Sequence, residues 1–287
     1  MFQQFQSKEI FVNDIKIHVE FKSNQSSKNI LFIHGLSNSS LVWHPLVSEL
    51  NPDANYYMID LPGCGKSAAG LYDYDKAFYT SIIESVCENL DLQNVILVGH
   101  SMASQIAAHV ALNQKIEIKK LILLSPAGFE QFHHHEREMF DSIANGFAGF
   151  GMDIFKGGHS YLSQVLHQSF YNMTDKSKEV LDNVLMQFRN VDSQSYQHML
   201  TQSIKYMCEN PLLDESSKIP ALLVFGKNDE LIPNRMLHPF LTLKHIAEDS
   251  TKTFENHQLE MLDQCGHFLH VEKYKEVANF IRLFLFS

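Results

Sequence analysis

The stretch Val95-Ile96-Leu97-Val98-Gly99-His100-Ser101-Met102-Ala103 decides the fold. Four apolar side chains in a row, with no polar residue alternating, read as a strand buried on both faces. Gly99 ends the run, and a helical pattern begins at once over 102–113. Gly99 and Ala103 flank Ser101 with small side chains, which a tight strand-to-helix turn needs because it brings backbone against backbone. A serine at such a turn is pushed out above the sheet. The first N–H groups of the helix behind it then point toward any negative charge developing there. A serine that merely caps the helix is the plainer reading of the same residues.

Further short strand-like runs lie outward from this point, at 9–12, 15–21, 30–33, 56–59, 121–124, 221–225 and 258–262. Helical periodicity lies between them at 41–50, 75–90, 235–246 and 269–285. Alternation of this kind predicts an α/β fold, an eight-stranded and mostly parallel sheet with helices on both faces. Asn13-Asp14 is a hairpin turn, so the first strand pair is expected to be antiparallel. The spacing breaks once. Between Leu124 and Ala221 lie 96 residues, where a crossover needs about 25–30. Helical stretches near 136–148, 158–170, 175–190 and 193–207 fill that interval. They predict a helical cap, residues 125–220, inserted between strands six and seven of one core formed by 1–124 and 221–287.

Two further motifs end strands. His34-Gly35-Leu36 follows the third run, and its turn can offer the Leu36 N–H to a substrate oxygen. With the Met102 N–H it would make a two-donor oxyanion hole. Gly226-Lys227-Asn228-Asp229 and Cys265-Gly266-His267 follow the last two runs. In an open α/β sheet the carboxyl ends of the strands share one crevice, so Ser101, Asp229 and His267 are expected to converge. Their chain order is that of a nucleophile-elbow hydrolase. Glu230 and Asp263 are poorer acids by position.

Composition narrows the partners. Lys plus Arg number 23 against 33 for Asp plus Glu, a formal charge of −10, which argues against a nucleic-acid surface. No basic-then-apolar leader opens the chain and no run of 18 apolar residues occurs, so neither a signal peptide nor a membrane span is expected. The four cysteines are scattered without a CxxC pair, as in a cytoplasmic protein with reduced thiols. Gly65-Lys66-Ser67 resembles the end of a phosphate-binding loop, but Asp60 stands where that motif needs glycine. His133-His134-His135 cannot all face one ion from a regular helix. No metal and no cofactor is expected.

With these motifs in order, the sequence resembles the α/β-hydrolase fold superfamily from about Phe11 to Leu285. Asp60-Leu61-Pro62-Gly63-Cys64-Gly65-Lys66-Ser67 is similar to the loop that family carries after its fourth strand, and the insertion sits where the family places a cap. Ala103 stands where the family usually has Gly, which implies a slightly shifted turn. Asp at position 101 would imply a dehalogenase or epoxide hydrolase; Ser101 points to acyl transfer. Ser125 occupies the family's alternative acid position, which leaves that role to Asp229. The expected activity is hydrolysis of a carboxylic ester, or a lactone or thioester, with Ser101 as nucleophile, His267 as base and Asp229 as its orienting acid.

Two alternatives remain beside it. Ser125-Pro126-Ala127-Gly128 is similar to C–C bond hydrolases of vinylogous diketone acids, which usually carry Trp where this chain has Phe268. A small-molecule receptor that retains the triad is the other. The 125–220 interval holds six of the eleven Met, which suggests an adaptable apolar pocket and an apolar ester or lactone as partner. His34, Trp43, Phe129 and Phe268 are candidate pocket residues.

Overall fold

The turn Asn13-Asp14 joins β1 (Gln6–Val12) to β2 (Ile15–Lys22), and both its residues take positive φ, 49° and 64°. That is the geometry that matches the twist of an antiparallel hairpin, and Asn and Asp tolerate it best after Gly. The sheet continues through β3 (Asn29–Ile33), β4 (Asn55–Ile59), β5 (Val95–His100), β6 (Ile118–Leu124), β7 (Ala221–Gly226) and β8 (His257–Leu262). The computed structural model describes residues 5–50, 53–138, 167–188, 192–233 and 240–286. Within it the strand order is β1-β2-β4-β3-β5-β6-β7-β8. Strands β4, β3, β5, β6, β7 and β8 pair in parallel, while β2 runs against both β1 and β4. Every residue of β3, β5 and β7 is buried, which explains why those runs lack polar alternation.

Helices α1 (His44–Glu49), α2 (Lys76–Asn89) and α3 (Met102–Asn113) connect the first strands, a 3-10 turn at Ser40–Trp43 leading into α1. Helix α1 packs with the last helix of the chain and α2 with α3. Strands β6 and β7 are neighbours in the sheet although 96 residues separate them. The described part of that interval carries α4 (Asp175–Phe188) and α5 (Ser193–Glu209). The helices expected near 136–148 and 158–170 lie largely outside the described residues.

Two helix boundaries differ from expectation. Of the helix expected at 235–246, residues 234–239 are outside the described set, and α6 spans Leu243–Thr253. Thr242 sets that start: its hydroxyl accepts from the His245 N–H while the His245 ring reaches back to the Thr242 N–H, a capping box. The stretch 269–285 divides into α7 (Leu269–Glu272) and α8 (Tyr274–Phe286) at Lys273, whose φ of −120° and ψ of 36° leave the helical region. No helix among the described residues is long and apolar enough to cross a membrane. The four cysteines are buried and none is in a disulfide.

Candidate active site

Ser101 sits between β5 and α3 at φ 55° and ψ −123°, a conformation that side chains other than Gly rarely adopt. Backbone bonds hold it there. The Ser101 N–H donates to Leu124 O at 2.9 Å, and Ser101 O accepts from Ser104 N–H at 3.0 Å and Ala127 N–H at 3.2 Å. A Cβ on Gly99 would stand 2.6 Å from Ser104 N, so only Gly fits below the turn. Ala103 is fully buried. Ser101 itself is half-buried.

Asp229 and His267 leave the ends of β7 and β8 and meet beside this turn. His267 Nδ1 lies 2.8 Å from Asp229 Oδ2, with the side chains 4% and 0% exposed. The other carboxylate oxygen, Oδ1, accepts from the N–H groups of Leu231 (2.8 Å) and Ile232 (3.1 Å). These bonds fix the carboxylate's plane, and hence the imidazole's, before any substrate arrives. The His267 backbone is clamped as well. Its N–H donates to Ser169 O at 2.7 Å, and its carbonyl accepts from His100 Nε2 at 3.0 Å. Among the described residues Ser101 Oγ makes no hydrogen bond, so Ser101 and His267 are linked through His100 rather than directly.

The third strand end completes the cluster. A Cβ on Gly35 would stand 3.1 Å from Ser101 Cβ, so the His34-Gly35-Leu36 turn lies directly against the elbow. Neither the Leu36 N–H nor the Met102 N–H is taken up by a protein acceptor among the described residues.

A family profile described as "alpha/beta hydrolase fold" matches residues 28–274. The chain belongs to that family. Among curated relatives of this alpha/beta hydrolase, the "Uncharacterized hydrolase YugF" of Bacillus subtilis (strain 168) is 25% identical, covering 96% of each chain. The "Monoacylglycerol lipase ABHD6" of Homo sapiens is 23% identical over 96% of this chain and 80% of its own. Among solved structures, the esterase EaEST from Exiguobacterium antarcticum superposes with a TM-score of 0.76 at 20% identity, covering 98% of this chain and 100% of its own.

The four candidate pocket residues of this alpha/beta hydrolase, His34, Trp43, Phe129 and Phe268, are all buried. His34 is fully buried; its Nδ1 donates to Gly35 O at 2.8 Å and its Nε2 accepts from the Leu61 N–H at 3.0 Å. Burial lowers its pKa, and the neutral ring braces the loop. Trp43 packs under Phe32 and His270, with ring centroids 5.2 and 4.5 Å away, and Phe129 meets Phe254 edge-on at 6.5 Å. Both are core residues with no more than 1% exposure. Phe268 stacks on Phe170 at 4.9 Å and meets the His267 ring edge-on at 5.8 Å. It steadies His267 and presents almost no surface of its own.

Several contributors carried no local signal. His100 and His270 pack ring to ring at 4.3 Å behind His267. Burial, with the neighbouring imidazoles, pushes His100 well below 6.5, and burial brings His270 to about 3, so both are neutral. Glu272 ties the His267 loop to the 125–220 interval, accepting from the N–H groups of Gly266 (3.0 Å) and Tyr171 (2.8 Å). Asp60, which excluded the phosphate-loop reading, is a buried loop organiser that accepts from Ser40 and Lys66 N–H at 2.6 and 2.8 Å. Among the described residues no group of three or more His, Cys, Asp or Glu is placed to hold a metal ion.

Proposed function

We propose that the protein hydrolyses a small apolar carboxylic ester through an acyl-enzyme on Ser101. The observation that carries this reading is the buried 2.8 Å Asp229–His267 pair set beside a serine held on a strained elbow. Asp229 holds the Nδ1–H tautomer, so Nε2 is the basic nitrogen. His267 Nε2 takes the Ser101 proton as Oγ adds to the ester carbonyl. The Leu36 and Met102 N–H groups receive the oxyanion, a contact stronger in the tetrahedral state than in the ester. Collapse breaks the bond to the alkoxide, which leaves with the proton from His267. Water, deprotonated by the same ring, then releases the acid. A lactone or thioester would follow the same steps.

Relatives named as a hydrolase and a monoacylglycerol lipase support ester chemistry. Residues 125–220 act in this reading as the cap of the site, supported by the Ser169 and Tyr171 contacts to the His267 loop. The four buried cysteines, none in a disulfide, suit a reducing compartment such as the cytoplasm. The test is Ser101→Ala, assayed on p-nitrophenyl acetate, butyrate and octanoate. Hydrolysis is expected to fall by about 10⁴-fold or more; wild-type activity in the purified variant would overturn the reading. A stoichiometric burst without turnover in the wild type would favour a receptor instead.

A further inference from the structure

Helix α5 belongs to the inserted interval, yet one of its faces lies on the turn that supplies the Leu36 N–H. Tyr196, Leu200, Ile204 and Met207 recur at spacings of four, four and three, which puts them in one stripe of a helix. The apolar members share a cluster with Leu36: Ile204 packs with Phe132 and Cys208, and Leu36, Leu200 and Met207 lie against that group. The polar member meets the next residue of the turn. Tyr196 Oη lies 2.7 Å from Ser37 Oγ, a buried contact across 159 positions of sequence.

Ser37 needs holding. Its φ is 54°, a left-handed conformation that residues other than Gly, Asn and Asp hold only where their surroundings fix it. The Leu36 N–H sits in the peptide just before, joined to the Leu36–Ser37 peptide through the Leu36 Cα, so a turn that shifts at Ser37 passes the displacement on to it. Helix α5 is itself anchored to the core. Ser203 Oγ lies 2.6 Å from Tyr79 Oη, His198 Nε2 lies 2.7 Å from Tyr72 O, and Tyr206 Oη lies 2.9 Å from His109 Nδ1. Burial raises the pKa of Tyr196, so its hydroxyl keeps its proton at neutral pH.

We propose that Tyr196 is a positioning residue for acyl transfer: through Ser37 it fixes the turn whose Leu36 N–H receives the oxyanion. The inference rests on the ester-hydrolase reading and adds to it that the inserted helix sets the rate of chemistry as well as covering the site. An interaction of this kind acts in the transition state, so it must show in kcat and leave KM nearly unchanged. A hydroxyl pair that only satisfied buried groups would cost stability without that split.

The experiment is a double-mutant cycle with Tyr196→Phe, Ser37→Ala and the pair, assayed on p-nitrophenyl butyrate. Each single variant is expected to lose about 10-fold in kcat with KM within about twofold. That is less than the roughly 10²–10³ for deleting an oxyanion donor, because the N–H is displaced and not removed. The double variant should be no slower than either single one, since both break the same contact. Labelling of Ser101 by a fluorophosphonate, followed by intact mass, should slow in the same ratio and needs no turnover. Unchanged kcat and labelling in Tyr196→Phe, or additive losses in the pair, would overturn the inference while leaving the hydrolase reading standing. If the wild type hydrolyses no ester, that reading fails, and the labelling rates alone decide the role of Tyr196. A wild type that is not labelled at Ser101 sinks both.

Discussion

Among the described residues, Asp229–His267 and Glu20–His44 are both close histidine–carboxylate pairs, and of these two the first stands beside the Ser101 elbow. Asp229 and His267 meet at 2.8 Å on the carboxyl edge of the sheet. Glu20 on β2 and His44 at the start of α1 meet at 2.5 Å elsewhere on β2. In the first pair the carboxylate has one imidazole partner and two backbone N–H groups, so it orients one ring. In the second it is shared: His18 Nε2 lies 3.7 Å and Lys66 Nζ 3.8 Å from Oε1. The hydroxyls differ too. Ser67, beside the Glu20 group, accepts from the His18 N–H at 2.9 Å and donates to Asp60 O at 2.6 Å, so its proton is committed. Ser101 is held by its backbone and its hydroxyl is left free. A histidine–carboxylate pair becomes a candidate base through what surrounds it, and the same pair among cations and satisfied hydroxyls is a structural tie.

The sharpest way to break that contrast is Asp229→Asn. The amide can present its NH2 to Nδ1 and favour the wrong tautomer, so kcat on a p-nitrophenyl ester should fall by about 10⁴-fold with the far-ultraviolet dichroism unchanged. A loss below tenfold would place Asp229 with Glu20 among the structural ties. Gly266→Ala is expected to cost less. A Cβ there would meet Ser169 O and stand 2.7 Å from Tyr171 N, both backbone, so the His267 loop must move. A displacement near 1 Å costs on the order of 10²-fold in rate, with roughly 1–3 kcal/mol of stability lost to the strain. Unaltered turnover would show that the inserted segment does not constrain His267.

Legibility in the sequence follows the range of the forces involved. The strands, the Asn13-Asp14 hairpin and the Ser101 turn depend on neighbours in the chain, and small residues or apolar runs announce them. Asp229 and His267 are 38 residues apart, yet both follow strands, and parallel strands bring their ends together whatever lies between. Tyr196 and Ser37, or Glu272 and Tyr171, meet only through tertiary packing, and no spacing rule brings them to notice. Trp43 and Phe129 show the opposite case. They lie close to the site in sequence, but which face of the local element they occupy is decided by packing, and both turn into the core. The break at Lys273 has no Pro or Gly to mark it.

The smallest expected effect concerns the Glu20 pair and moves stability alone. Burial by itself would raise the Glu20 pKa, but the His18 and His44 imidazoles and the Lys66 ammonium outweigh it and bring it from 4.5 to about 2. A carboxyl whose folded pKa is depressed binds its proton more tightly when unfolded. Its stabilisation is therefore complete above about 4.5 and drains away as pH falls toward 2. The shift corresponds to at most about 3 kcal/mol at neutral pH. Glu20→Gln should lower the urea midpoint at pH 7, and the gap from wild type should narrow steadily between pH 5 and pH 3. Ester turnover at pH 7 should not change, because Glu20 orients no ring that faces Ser101. A gap independent of pH would mean that shape and not charge is what Glu20 contributes. A fall in kcat would tie the two histidine–carboxylate pairs together, through Asp60 and the His34 loop that lie between them in the chain of contacts.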